Sequence, residues 1–248
     1  MATDPTPQSL PEETTAQLRF IITRLFKEGQ HWLTGIDGAD WRRSRYVGAR
    51  ARRSARTGPS ANHVVDDIAP VLGYLSKEAS TLTAQVHNCF VVKGDSACLA
   101  ENGIVLLRPV LKTNFSDQVT LNFHVWFHCV PAGGEDHLVT GWRLEHPEGA
   151  RDKTSHDFFH AQPMRKFGPE ESIHGMHHRF PDSFPTLPLP ASNVVELCLT
   201  AVTVACGKEA LRSFVGSGNA EVRAAARTLW TKMFPPPAPT VVPEPAPG

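Results

Sequence analysis

Residues 119–130, VTLNFHVWFHCV, alternate apolar and polar side chains with a period of two. Such a run reads as a strand with one face turned to a core. A second run, LVTGWRLEH at 138–146, follows after the loop PAGGED. Pairing the two as a hairpin, with Phe123 opposite Leu144 and Val125 opposite Trp142, puts Leu121, Phe123, Val125, Phe127, Trp142 and Leu144 on one side. The other side then carries Asn122, His124, Trp126 and His128 beside Arg143 and Glu145. A slip of one residue would turn Arg143 and Glu145 into the core, so the side-chain pattern selects this register. Any fold for this chain has to contain that sheet.

Three further runs extend it. Residues 81–92 alternate and predict a strand. IVLLRPVL at 104–111 predicts another, with Pro109 pointing to a sheet edge. Residues 155–162, SHDFFHAQ, predict a fifth. The simplest connection is a five-stranded, mainly antiparallel meander. The first helix is signalled by Ser9 and Glu12 as a capping box, and by the stripe Leu18, Ile21, Ile22, Leu25 and Phe26, with Gly29 as its stop. A second is expected over 64–75. After the extended, proline-rich PDSFPTLPLP at 181–190 comes a helix at 193–206, with Asn193 as cap and apolar character nearly all round. Gly207 ends it, and helices at 208–215 and 220–234 follow. The expectation is an α+β fold, with 1–234 as one domain and 235–248 as a tail holding seven prolines, extended or disordered.

Charge narrows the function classes locally rather than globally. Acidic and basic residues balance at 25 each, so the chain as a whole advertises neither a nucleic acid nor a membrane surface. Residues 41–58 do carry a concentrated charge. They hold Arg42, Arg43, Arg45, Arg50, Arg52, Arg53 and Arg56 with no acidic residue between them. An arm of this kind at 41–60 suits nucleic acid, RNA favoured, or another polyanion, because clustered guanidiniums release condensed counterions. It equally suits a solvated linker. The tail is a spacer or a ligand for a proline-recognising protein partner. Five cysteines without a CxxC argue for reduced thiols in a cytoplasmic protein and against a cysteine-built zinc site. No signal peptide and no apolar run of membrane length is visible, so no membrane partner is expected.

Nine of the twelve histidines lie between positions 124 and 178. With a turn centred on PEGARDK, His156 falls beside Glu145, and Glu145, His156, Arg143 and His124 share the polar face of the sheet with His160. On a strand His156 and His160 would stand roughly 13 Å apart and could not chelate one metal together. The site is therefore read without metal or cofactor, although cross-strand metal ligation remains a third alternative. Histidine beside a carboxylate is a proton-transfer pair near neutrality, and arginine supplies a fork for phosphate. That set suits metal-independent RNA cleavage, in which the 2′-hydroxyl of the substrate is the nucleophile. The competing reading is a network of polar groups that satisfy one another. The HGMHH segment, with His174, His177 and His178, reads as a surface loop.

The R-x-E pattern of Arg143 and Glu145, followed by spaced histidines at 156 and 160, resembles the small ribonuclease toxins of bacterial toxin–antitoxin pairs. The resemblance covers only this short part of the chain, and the flanking helices and tail have no counterpart in it. It implies a ribonuclease in which these residues work on RNA. The rival expectation is a non-catalytic subunit of a multiprotein or ribonucleoprotein complex, docking through the basic arm and the proline tail.

Overall fold

The computed structural model describes residues 10–27, 31–36, 63–65, 87–93, 104–113, 119–129, 138–148, 156–163 and 186–236. Among these, eight strands form one antiparallel sheet. They are β1 (His31–Ile36), β2 (His63–Val65), β3 (His87–Lys93), β4 (Ile104–Thr113), β5 (Val119–Cys129), β6 (Leu138–Glu145), β7 (His160–Pro163) and β8 (Leu187–Pro188). The strand order is β2-β1-β3-β4-β5-β6-β7-β8. The helices are α1 (Glu12–Lys27), α2 (Val194–Cys206), α3 (Lys208–Val215) and α4 (Ala220–Met233). The class is α+β, and the expected five-strand meander is its β3–β7 portion. Short strands extend it at both edges.

The hairpin register is the one the side-chain pattern selects: Phe123 faces Leu144, His124 faces Arg143 and Val125 faces Trp142. Leu121, Phe123, Val125 and Leu144 are buried, together with Val105 and Leu107 of β4. Helix α2 lies on this face against β4, β5 and β6, and also touches α1, α3 and α4. A helix with neighbours on the sheet side and the helix side must be apolar nearly all round, and Val195 through Thr203 are all buried. Its buried threonines are satisfied locally. Thr200 Oγ1 donates to Glu196 O at 2.8 Å, and Thr203 Oγ1 donates to Leu199 O at 2.7 Å.

The ends of α2 follow from sequence. Asn193 Oδ1 accepts from Glu196 N at 2.9 Å, while Glu196 Oε2 accepts from Ser192 N at 2.8 Å. This is a capping box displaced by one residue on its return leg. Lys232 Nζ of α4 donates to the same Oε2 at 3.0 Å and to Ser192 Oγ at 2.7 Å, which ties the last helix to the start of α2. Gly207 ends α2 at φ 82° and ψ 173°, a region that essentially only glycine occupies. Helix α1 buries Leu18, Ile21, Ile22 and Leu25, four of the five residues of the expected stripe, each worth about 1.5–3 kcal/mol when fully buried. Gln17 Nε2 donates to Glu221 Oε2 at 2.6 Å, and Arg24 lies 5.1 Å over the Phe214 ring, so α1 is held to α4 and α3.

Three expectations need correcting. β4 is not an edge strand, since β3 and β5 flank it. The β3 ladder covers Ile104 to Leu107, so Pro109 sits beyond its end, where a missing N–H removes no bond to β3. The helix expected over 64–75 starts inside β2, which pairs with β1; the rest of that stretch lies outside the described residues. The strand expected over 155–162 is shorter and later, because regular pairing starts only at His160. The arm at 41–60, the HGMHH loop and the tail beyond Pro236 also lie outside the described residues.

Candidate active site on the polar face of the sheet

The edge of the sheet at β6–β7 decides which groups meet. Glu145 pairs with His160, and Arg143 pairs with Gln162. His156, expected beside Glu145, is displaced by four residues, and His160 stands in its place. The midpoint between the paired positions therefore falls between residues 152 and 153, rather than between 150 and 151. An even shift keeps every side chain on its face, so the polar set survives while its members change partners. Pairing does not stop at the strand end, since Glu148 N donates to His156 O at 2.9 Å. At the other edge of β7, β8 adds backbone bonding, and Leu189 N donates to Phe159 O at 2.8 Å.

His160 and Glu145 are enclosed, at 0% and 3% exposure. The Nε2 atom of His160 is 3.5 Å from Glu145 Oε2, a contact of charge more than of hydrogen bonding. Its Nδ1 is 2.9 Å from the Phe158 carbonyl oxygen. Both neighbours accept, so a ring with two N–H groups suits the position best. Burial acts most strongly on this imidazole and disfavours its charge. Glu145, the Phe158 carbonyl and the charge of Glu148 together outweigh it and hold the pKa above the ordinary histidine value.

Arg143 completes the group. Its Nη1 is 3.7 Å from Glu145 Oε1, and its Nη2 donates to Gln162 Oε1. The guanidinium is therefore pinned by two side chains, and the Arg143 side chain as a whole remains about one-third exposed, at 36%. Asn122, buried in the next row, accepts from His146 N at 2.8 Å and fixes the chain where it leaves β6. The His146 ring packs edge-on to Phe159 at 4.8 Å, and burial lowers its pKa against a weaker opposing bond to the Pro147 carbonyl.

His156 is not strand-paired, but it remains in the cluster. Its ring centroid is 4.6 Å from that of His160, far closer than the strand spacing implies. The irregular backbone over His156–Phe159 brings the rings together; it is neither strand nor helix. Phe158 lies 5.8 Å from each of the two histidine rings and is 39% exposed. His156 is half-buried, so of the two imidazoles it is the one open to solvent. Among the described residues no group of three histidine, cysteine or carboxylate side chains is placed to hold a metal.

His124 faces Arg143 on one side and Arg108 of β4 on the other. Arg108 is the residue that sequence reasoning missed. Its signal was a lone charge inside the apolar run IVLLRPVL. The arginines at 42–56 lie outside the described residues. No helix among the described residues is long and apolar enough to cross a membrane. Comparison with protein families, with curated proteins and with solved structures finds no match for this chain.

Proposed function

We propose that the protein binds RNA and cleaves it without a metal, using the polar face of β5–β7. The observation that carries the proposal is the single carboxylate of Glu145 held between the Arg143 guanidinium and the His160 imidazole, with the His156 ring against His160. In this reading Arg143 receives the phosphate and stabilises the charge that builds on its oxygens. His156 exchanges the proton of the 2′-hydroxyl. The O2′–P bond forms, the P–O5′ bond breaks, and His156 passes the proton it took from the 2′-hydroxyl to the leaving 5′-oxygen. Glu145 and His160 act as positioning residues that hold Arg143 and the His156 ring. The arm with Arg42, Arg43, Arg45, Arg50, Arg52, Arg53 and Arg56 would bind the backbone.

The full chain should therefore bind RNA in preference to duplex DNA, more weakly at higher salt, and cleave RNA in the presence of a chelator. Its 2′-deoxy counterpart should remain intact. A His156→Ala protein that folds normally should lose cleavage. Undiminished cleavage by that variant would refute the assignment.

A second reading is favoured by one specific observation, the near-complete enclosure of Glu145 and His160. Groups so enclosed serve equally as a structural network inside a non-catalytic subunit. The basic arm and the proline-rich tail would then do the docking. Co-purification of a partner that is lost on deleting 41–58 or 235–248, with no cleavage at any salt concentration, would favour this reading.

A further inference from the structure

Strand register lines up a second set of groups on the same face. Arg108 pairs with His124, His124 with Arg143, and Arg143 with Gln162. Paired residues in an antiparallel sheet project from the same face with Cβ atoms about 5 Å apart. These four side chains therefore form one continuous row across β4, β5, β6 and β7. All four are half-buried. In the adjoining row Glu145 pairs with His160, and its carboxylate reaches Arg143 of this row.

We propose that Arg108 and Arg143, on either side of His124, form a binding row for a phosphate group, with Gln162 and Glu145 fixing the fork of Arg143. Strands are about 4.8 Å apart, so the two arginine Cα atoms flank His124 at about twice that spacing. Arginine side chains are long enough to reach over the intervening histidine. Partial burial lowers the local dielectric and strengthens an anion contact relative to one on an open surface. Each guanidinium carries paired donors that match phosphate oxygens, and the His124 ring between them, whose nitrogens are buried, reports on the occupant rather than donating to it. A planar fork held by Gln162 and Glu145 loses little freedom when the anion arrives. The ligand class is a phosphate ester, either a nucleic-acid backbone or a free phosphate. In its nucleic-acid form the proposal rests on the RNA reading, and it supplies the phosphate contact which that reading needs.

The test uses the full chain with ring-labelled histidine and two probes. The first is inorganic phosphate. The second is a single-stranded oligodeoxynucleotide, which has no 2′-hydroxyl and therefore separates binding from cleavage. Phosphate should shift the His124 resonances saturably, and Arg108→Gln should abolish that shift. For the oligonucleotide, Arg108→Gln should reduce the slope of log affinity against log salt by about 0.7, the value of one lost contact to a single strand. A response to phosphate without a response to the oligonucleotide supports the row and counts against RNA as its ligand. Absence of any His124 shift in the unsubstituted protein overturns the proposal, whatever the folding of the variants. Arg108→Lys, which keeps the charge and loses the fork, should retain a weakened response; a response equal to that of the unsubstituted protein would show that the guanidinium plays no part.

Discussion

Glu145→Gln is the most informative single change, because it removes a charge and almost no volume. In the folded protein Glu145 is 3% exposed and touches Arg143 at 3.7 Å and His160 at 3.5 Å. Deleting one partner of an enclosed ion pair costs about 3–5 kcal/mol when the other charge is stranded. Two features make the cost smaller here. The glutamine oxygen still accepts, and His160 can escape its stranded charge by losing a proton. The expected loss is that of hydrogen bonds to a charged group, about 1.5–3 kcal/mol. Its pH dependence is more diagnostic than its size. The His160 pKa is raised in the folded protein, with burial opposing and Glu145, the Phe158 carbonyl and Glu148 prevailing. The pair's contribution is therefore complete below the unfolded imidazole value of about 6.5 and lost as pH rises through the higher folded value. In Glu145→Gln the charge of Glu145 no longer opposes burial, so the His160 pKa falls and that pH-dependent contribution shrinks. Urea unfolding at a series of pH values from 5.5 to 8.5 reads both effects. A variant that loses less than about 0.5 kcal/mol and keeps the pH slope of the unsubstituted protein would refute the reasoning, since that is the range of an ordinary surface change.

The helical layer yields two further predictions. Gly207→Ala should cost about 1–3 kcal/mol from backbone strain alone, because nothing lies within 4 Å of an added Cβ at its φ of 82°. Gly216→Ala, at φ −100° with equally open space, should be neutral or stabilising in the same thermal melts; equal losses at both positions would contradict the account. Lys232→Met removes the ammonium 3.0 Å from the buried Glu196 carboxylate and should lower stability by about 1–2 kcal/mol in urea titration. No change would mean that the tie between α4 and α2 is ornamental.

The hairpin was legible because its pattern leaves one tolerable register: Arg143 and Glu145 would be driven into the core by a single slip. Asn193 was legible as a cap because an amide followed three residues later by glutamate precedes an apolar run. The register of β7 was not legible. Phe159 and Ala161 face the core and His160 faces Glu145, yet a displacement of four residues leaves each of these parities unchanged. The connection sets that displacement, and a loop's path is not written in hydrophobic alternation. The same limit hid the proximity of His156 to His160, which depends on a local departure from strand geometry at Asp157 and Phe158. β2 was missed because three residues carry too little periodicity to stand out beside an apparent helical stripe. The edge assignment of β4 rested on Pro109, which pairs with Phe123 of β5 but lies past the end of the β3 ladder. It then spread that property along the whole strand, although β3 pairs with the first part of β4.

What the account needs most is the protonation state of His160, because the carboxylate, the arginine and the second histidine are all arranged around it. Site-resolved ¹⁵N NMR of the histidine rings in the unsubstituted protein reads it directly. The prediction is a His160 titration midpoint above the ordinary histidine value, with protons on both ring nitrogens below that midpoint. A ring that titrates at or below the ordinary histidine value would contradict it.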